Sequence, residues 1–311
     1  MNEQLRASAA DHLRLRIARG YQPGDHAWLL RDFLDFLDRE DLTTIKTTNA
    51  LTWACLPKDA GPRWRSQRLA VVRVFAAHVH ASDPDLAELI PAGLLPARVV
   101  RPTPYLYSVE QVAALIDQAR TLRPELRGHT LGAIIGLMAA TGMRTAEALA
   151  LDTEHVDSAQ ATILVRGKGG TRRLLPVHPS TIMALAHYRS TARQLLMAAP
   201  RDNSFFLSQA GTRPVANTVQ RSFREVATGC DLPLEPGNGK PRLYDLRHSF
   251  AVSTLIDAHR SGDGVDARVA ALATYLGHRS PIHTYWYLSA SPELLHLVSD
   301  RVEQHVQEGR P

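Results

Sequence analysis

The chain has two cysteines in 311 residues, Cys55 and Cys230, and neither sits in metal-type spacing. That excludes a disulfide-stapled scaffold and a cysteine-based zinc module, and both read as reduced thiols. No apolar run approaches the roughly 20 residues that a membrane helix needs. The first residues, Met1–Arg19, are charged throughout and lack the apolar segment of a signal peptide. The expectation is a cytoplasmic protein with no membrane partner. Internal repeats and low-complexity tracts are also missing. At 44% hydrophobic, the composition is not that of a disordered chain.

What is present is a mildly basic chain of two-domain length, with a formal charge of +5 and a pI of about 9.4. Most of the excess charge falls after residue 100. Such a balance favours an anionic partner.

Residues 1–90 read as a small helical bundle. Leu5, Leu13, Leu15 and Ile17 share one helical window, Trp28–Leu37 is amphipathic, and Asn49–Leu56 and Gln67–His80 carry helical periodicity. Arg63, Arg65 and Arg68, with Lys58 nearby, form either a solvated face or a phosphate-facing patch. Residues 91–107 hold Pro91, Gly93, Pro96, Pro102 and Pro104 and read as a linker. The second domain, 108–311, opens with Ser108-Val109-Glu110-Gln111, a capping box. Its expected helices are Val109–Arg120, Thr130–Ala140, Thr145–Leu151, Ser180–Leu196 with an N-cap serine, Asn217–Thr228 started by its asparagine, Tyr244–His259, Asp266–Leu276 and Ser291–Gln307. Ala161–Arg166 and Arg172–Val177 read as strands joined at Gly167–Thr171. That glycine-rich run lacks the Gly-x4-Gly-Lys-Ser/Thr spacing of a P-loop, and no helix follows it. The fold class is therefore mainly α, a helical bundle followed by a mostly helical domain with a small β-hairpin.

Three stretches carry chemistry. Thr141-Gly142-Met143-Arg144-Thr145-Ala146-Glu147 ends a buried helix and opens the next, and Gly142 suits a C′ position. Tyr244-Asp245-Leu246-Arg247-His248 lies on a later helix. Leu276-Gly277-His278 is followed nine residues on by Tyr287. Two guanidinium groups, an imidazole and a phenol suggest a site that holds a phosphate and attacks it. Glu147 shares a helical face with Arg144 and can orient it. His278 and His283 have no acid or cysteine to complete a metal site.

In this order and setting the residues resemble the tyrosine recombinases, the phage integrase family, over most of the chain and most strongly from Thr141 to Leu288. The resemblance implies roles. Arg144 and Arg247 match the two catalytic arginines, His278 the late histidine and Tyr287 the nucleophile. Lys168, on the hairpin, matches the general acid for the departing 5′ oxygen. Glu147 and His248 match supporting positions. Tyr244 stands where the family usually has histidine, and a phenol is a far weaker base near neutral pH. Tyr285 is the rival nucleophile. Residues two apart on a helix point about 200° apart, so only one of the pair can face the site. The spacing from His278 matches Tyr287.

The implied fold is a core-binding, SAM-like helical domain joined to the recombinase catalytic domain, closing on double-stranded DNA. Arg63, Arg65, Arg68, Arg172 and Arg173 are counted as DNA contacts. The implied activity is site-specific strand cleavage and rejoining through a 3′-phosphotyrosyl bond, with no cofactor, no metal and no small-molecule substrate. The implied assembly is a homo-tetramer on two DNA sites. Two other readings stay open: a type IB topoisomerase, and a DNA-binding protein with this fold whose cleavage is impaired at Tyr244.

Overall fold

The computed structural model describes residues 2–21, 24–96, 103–167, 170–233, 239–261 and 265–278, together with Leu294 and His296. The chain divides into two compact units, Met1–Arg101 and Pro102–Pro311.

Among its described residues the first unit holds four helices: α1 (Glu3–Ala18), α2 (Gly24–Arg39), α3 (Thr47–Cys55) and α4 (Pro62–Ser82). Helix α2 buries Leu29, Leu30, Phe33, Leu34 and Leu37 on one stripe, against Trp53 of α3 and Val72, Phe75 and Val79 of α4. Helix α4 starts earlier than the apolar periodicity suggests. Pro62 occupies its first turn, where a missing N–H costs nothing.

That earlier start places Arg63, Arg65 and Arg68 inside α4, and it corrects the reading of Arg68 as a DNA contact. Arg68 is 4% exposed. Its guanidinium lies 3.8 Å from the centre of the Trp53 ring and donates to the Trp53 carbonyl (3.0 Å) and to Asp32 (3.3 Å). It is a packed cation clamping α3 to α4. Arg65 is half-buried and donates to the carbonyls of Pro57 and Lys58, while Arg63 is exposed.

The second unit begins with Tyr105 and Tyr107 buried in its core. Helix α5 (Val109–Arg120) starts with the expected capping box, in which Ser108 accepts from the Gln111 N–H and the Gln111 side chain accepts from the Ser108 N–H. Helix α6 (Glu125–Thr141) is buried nearly all round and stops at Gly142 in the left-handed region, φ 60°. The short helix α7 (Thr145–Leu149) follows. Strands β1 (Val156–Asp157), β2 (Thr162–Arg166) and β3 (Arg172–Pro176) form one antiparallel sheet in the order β1-β2-β3. At two residues, β1 is too short to show alternation in the sequence.

Four helices follow in the described residues: α8 (Pro179–Leu195), α9 (Ala216–Gly229), α10 (Asp245–Ser261) and α11 (Val265–Leu276). Three expected starts are corrected. Helix α8 is capped by His178, whose Nδ1 accepts from the Ser180 N–H, because Pro179 takes the first helical position. Helix α9 begins after Val215 with no side-chain cap, so Asn217 lies inside it. Tyr244 lies just outside α10; Asp245 opens that helix, buried and paired with Arg242. The expected helix Ser291–Gln307 lies outside the described residues except for Leu294 and His296. Leu294 is buried among Ala251, Val252, Leu255, Leu272 and Leu276 of its own unit. No helix among the described residues is long and apolar enough to cross a membrane.

Candidate active site

The site forms where α6, α10 and α11 end or begin. Helix α11 stops in a Schellman turn: the Gly277 N–H donates to the Thr274 carbonyl (3.0 Å) and the His278 N–H to the Ala273 carbonyl (2.9 Å). Gly277 takes φ 66° for this turn, a backbone conformation that favours glycine. The turn fixes the backbone of His278 directly after the helix.

A helix end leaves its last carbonyls without intrahelical donors. Here three consecutive ones are each met by a different arginine. Arg173 Nε donates to the Tyr275 carbonyl at 3.0 Å, Arg247 Nη2 to the Leu276 carbonyl at 2.8 Å, and Arg144 Nη2 to the Gly277 carbonyl at 3.3 Å. The negative end of the helix dipole adds to the attraction.

Arg247 sits in the first turn of α10 and is fully buried. Nη1 donates to the Gly142 carbonyl at 2.8 Å, beside the C-terminus of α6. Nη2 also lies 2.9 Å from His278 Nε2. Two helix C-termini thus surround one cation, which offsets the cost of burying it. The αL glycine is required on space as well as on φ. A Cβ on Gly142 would meet Phe250 Cδ1 at 2.5 Å and Leu276 Cδ2 at 2.9 Å.

Arg144 is the N-cap residue of α7. Its N–H donates to Glu147 Oε2 (2.9 Å) and its Nη1 to Glu147 Oε1 (2.8 Å), so the residue three on grips both backbone and side chain. Arg144 keeps a side-chain exposure of 36%, whereas Glu147 is 5% exposed. Arg173 forks onto the same carboxylate, Nη1 to Oε1 at 3.0 Å and Nη2 to Oε2 at 2.8 Å. Burial alone would raise the Glu147 pKa. The bonds from Arg173 and from the Arg144 N–H and guanidinium outweigh it and hold the carboxyl down at about 2. Glu147 is ionised at any physiological pH.

Tyr244 is 40% exposed, and its ring meets the His248 ring edge-on at 5.1 Å. Its carbonyl accepts from the Arg247 N–H at 3.1 Å, so Tyr244 leads directly into the turn that carries Arg247. His248 is buried at 8% exposure.

The fold therefore brings Arg144, Glu147, Arg247 and His278 together, with Tyr244 and His248 beside them. Lys168, Tyr285 and Tyr287 lie outside the described residues. Arg172 is exposed, whereas Arg173 is turned inward, its guanidinium bonded to Glu147 and to the end of α11. A signal for this was present. Alternation along β3 puts Arg173 on the same face as Leu175, which is buried.

Among the described residues, one group, Asp152, Glu154 and His155, brings metal-type donor atoms together. His155 Nδ1 accepts from the Asp152 N–H at 2.9 Å, so neutral imidazole keeps its proton on Nε2, the atom that faces the two carboxylates. A protonated nitrogen is no ligand, and the arrangement braces the turn before β1.

Residues 107–293 match the model of the phage integrase family. The chain belongs to the phage integrase family. This integrase is 35% identical to the integrase/recombinase y4rB of Sinorhizobium fredii (strain NBRC 101917 / NGR234), over 96% of its own length and 97% of the relative's. It is 30% identical to the tyrosine recombinase XerD of Mycobacterium tuberculosis (strain CDC 1551 / Oshkosh), over 70% and 67% of the two chains. Its fold is similar to the XerH site-specific recombinase in a post-cleavage complex with a palindromic difH substrate. That likeness has a TM-score of 0.63 at 16% identity and covers 89% of the integrase and 79% of XerH. The integrase is a tyrosine-type DNA recombinase.

Proposed function

We propose that the integrase cuts and rejoins double-stranded DNA at specific sites, with the Tyr287 phenol as nucleophile. Its oxygen attacks the scissile phosphorus, the 5′ oxygen leaves, and a 3′-phosphotyrosyl bond conserves the energy of the phosphodiester. A 5′ hydroxyl from a partner strand reverses the step without ATP. Arg144 and Arg247 neutralise charge on the non-bridging oxygens, the main catalytic contribution in phosphoryl transfer. Lys168 gives the proton to the leaving oxygen. Tyr244 donates a hydrogen bond where an imidazole would be more usual.

One observation carries this reading: Arg144, Arg247 and His278, from three separate stretches of sequence, converge at the end of α11, eleven residues or fewer from both candidate tyrosines. Arg247 now spends one N–H on His278. A phosphate between them would accept from both, replacing that bond with two charge-assisted ones. Both units contact the duplex. Four copies assemble on two DNA sites.

A nicked suicide duplex tests the proposal. Wild type forms a protein–DNA adduct that resists denaturant, and with two differently labelled duplexes it yields a joined product. An adduct with no joining would make it a topoisomerase-like enzyme. Tight binding with no adduct would make it a binder with impaired cleavage.

A further inference from the structure

We propose that Arg173, outside the phosphate-binding set, is a positioning residue that holds the end of α11 and Glu147 in place while Arg144 and Arg247 engage the phosphate; this rests on the recombinase reading of the site. The structural ground is the division of labour among the three arginines at the end of α11. Each grips one carbonyl, of Tyr275, Leu276 or Gly277. Arg144 and Arg247 hold theirs with Nη2, on the same guanidinium groups that turn toward a phosphate. Engaging it loosens their grip on the turn that carries His278 and leads toward Tyr287. Arg173 has no such second duty. Each of its three nitrogens is already bonded, Nε to the Tyr275 carbonyl and the two terminal nitrogens to Glu147.

Two features show that the place is built for a guanidinium. A Cβ added to Gly277 would lie 2.9 Å from Arg173 Nη1 and 3.1 Å from its Cζ, so the glycine leaves room for the planar head against the turn. Arg173 is also 17% exposed at its side chain and sits on β3, a paired strand, which fixes the stem.

Arg173 acts on Arg144 through Glu147. One buried carboxylate accepts from both guanidinium groups. With Arg173 in place, its charge is matched from the far side, and the remaining donors of Arg144 are available for a phosphate. Without Arg173, an unmatched buried carboxylate draws Arg144 fully onto itself and competes with the DNA.

The test uses the full-length protein and the nicked suicide duplex, with Kd and the single-turnover rate of adduct formation measured separately. Arg173→Gln keeps the size of the side chain while removing the charge and the fork. It slows adduct formation by about tenfold or more while Kd changes by less than about threefold, because other phosphate contacts sustain binding. Arg173→Lys keeps the charge, loses the fork, and falls between. The decisive variant is Arg173→Gln with Glu147→Gln, which removes the unmatched carboxylate and recovers part of the lost rate. A merely structural role gives no such rescue. The proposal is overturned if Arg173→Gln and Arg173→Lys both cleave like wild type, if binding falls as much as cleavage, or if the double variant is slower than Arg173→Gln alone. A wild-type protein that forms no adduct sinks the recombinase reading instead, and the two failures are thereby told apart.

Discussion

Arg247 Nη2 lies 2.9 Å from Nε2 of His278, and a guanidinium can only donate. His278 Nε2 is therefore the acceptor, and neutral imidazole carries its proton on Nδ1. To donate from Nε2 to a phosphate oxygen, the ring must gain a proton or change tautomer as the phosphate displaces Arg247. Arg247 and His278 are thus bonded to each other within the site, and in the proposed reaction a phosphate oxygen takes the place of that bond.

The two arginines separate rate from affinity. Arg144→Ala lowers the rate of adduct formation by about a hundredfold or more, the scale of one lost transition-state donor. Binding falls far less, since many phosphate contacts remain. Arg247→Ala adds a folding cost of about 1–3 kcal/mol, because the carbonyls of Gly142 and Leu276 lose their buried donor. Single-turnover kinetics, filter binding and thermal melts on the same preparations check all three statements.

Lys168 is tested by the leaving group. Lys168→Ala slows cleavage of an ordinary phosphodiester, and a 5′-bridging sulfur, which leaves without a proton, restores the rate. Without that rescue, Lys168 has no general-acid role.

Tyr244 departs from the family pattern and stands half-exposed with its ring edge-on to His248. Tyr244→Phe costs about 0.5–1.5 kcal/mol of transition-state stabilisation, one neutral hydrogen bond, or roughly a tenfold slowing at most. Tyr244→His is tolerated. A Tyr244→Phe enzyme as fast as wild type would remove the hydroxyl from the chemistry.

The first unit has its own acid sensitivity. His12 is 6% exposed. Burial first, then His78 on α4, His26 on α2 and Arg16 on α1, lower its pKa to about 4, against a smaller opposing pull from Asp11. A histidine depressed on folding stabilises the fold while neutral. Its contribution, about 3 kcal/mol from a shift of roughly 2.5 units, is lost as pH falls from about 6.5 towards 4. Urea titrations from pH 7 to pH 4.5, read by tryptophan fluorescence from Trp28, Trp53 and Trp64, measure the slope. His12→Gln flattens it, and an unchanged slope would place the acid sensitivity elsewhere.

The helices and the hairpin were legible because their apolar periods are strong, as in Trp28–Leu37, and because Ser108 and Gln111 form a capping box. Arg144, Glu147, Arg247 and His278 were legible as a constellation through their resemblance to the tyrosine recombinases, since each alone reads as an ordinary surface or structural residue. What the sequence hid was pairing between distant residues. Nothing near Arg68 signals that its guanidinium lies over Trp53, and a basic run in front of a helix looks the same whether it faces solvent or packs inward. The contact between Arg173 and Glu147 joins residues 26 apart, and only the inward register of β3 hints at it. The caps of α8 and α9 were misplaced because Ser180 and Asn217 are good cap residues by type, while Pro179 and the loop before Ala216 set the true starts.

The central claim is that Tyr287, and not Tyr285, becomes bonded to DNA. The most direct measurement is covalent capture on a nicked suicide duplex by wild type, Tyr287→Phe and Tyr285→Phe, followed by mass spectrometry of the peptide that carries the nucleotide. The account predicts an adduct on Tyr287 in wild type and in Tyr285→Phe, and none in Tyr287→Phe, which still binds the duplex. An adduct that survives Tyr287→Phe and disappears in Tyr285→Phe would contradict it.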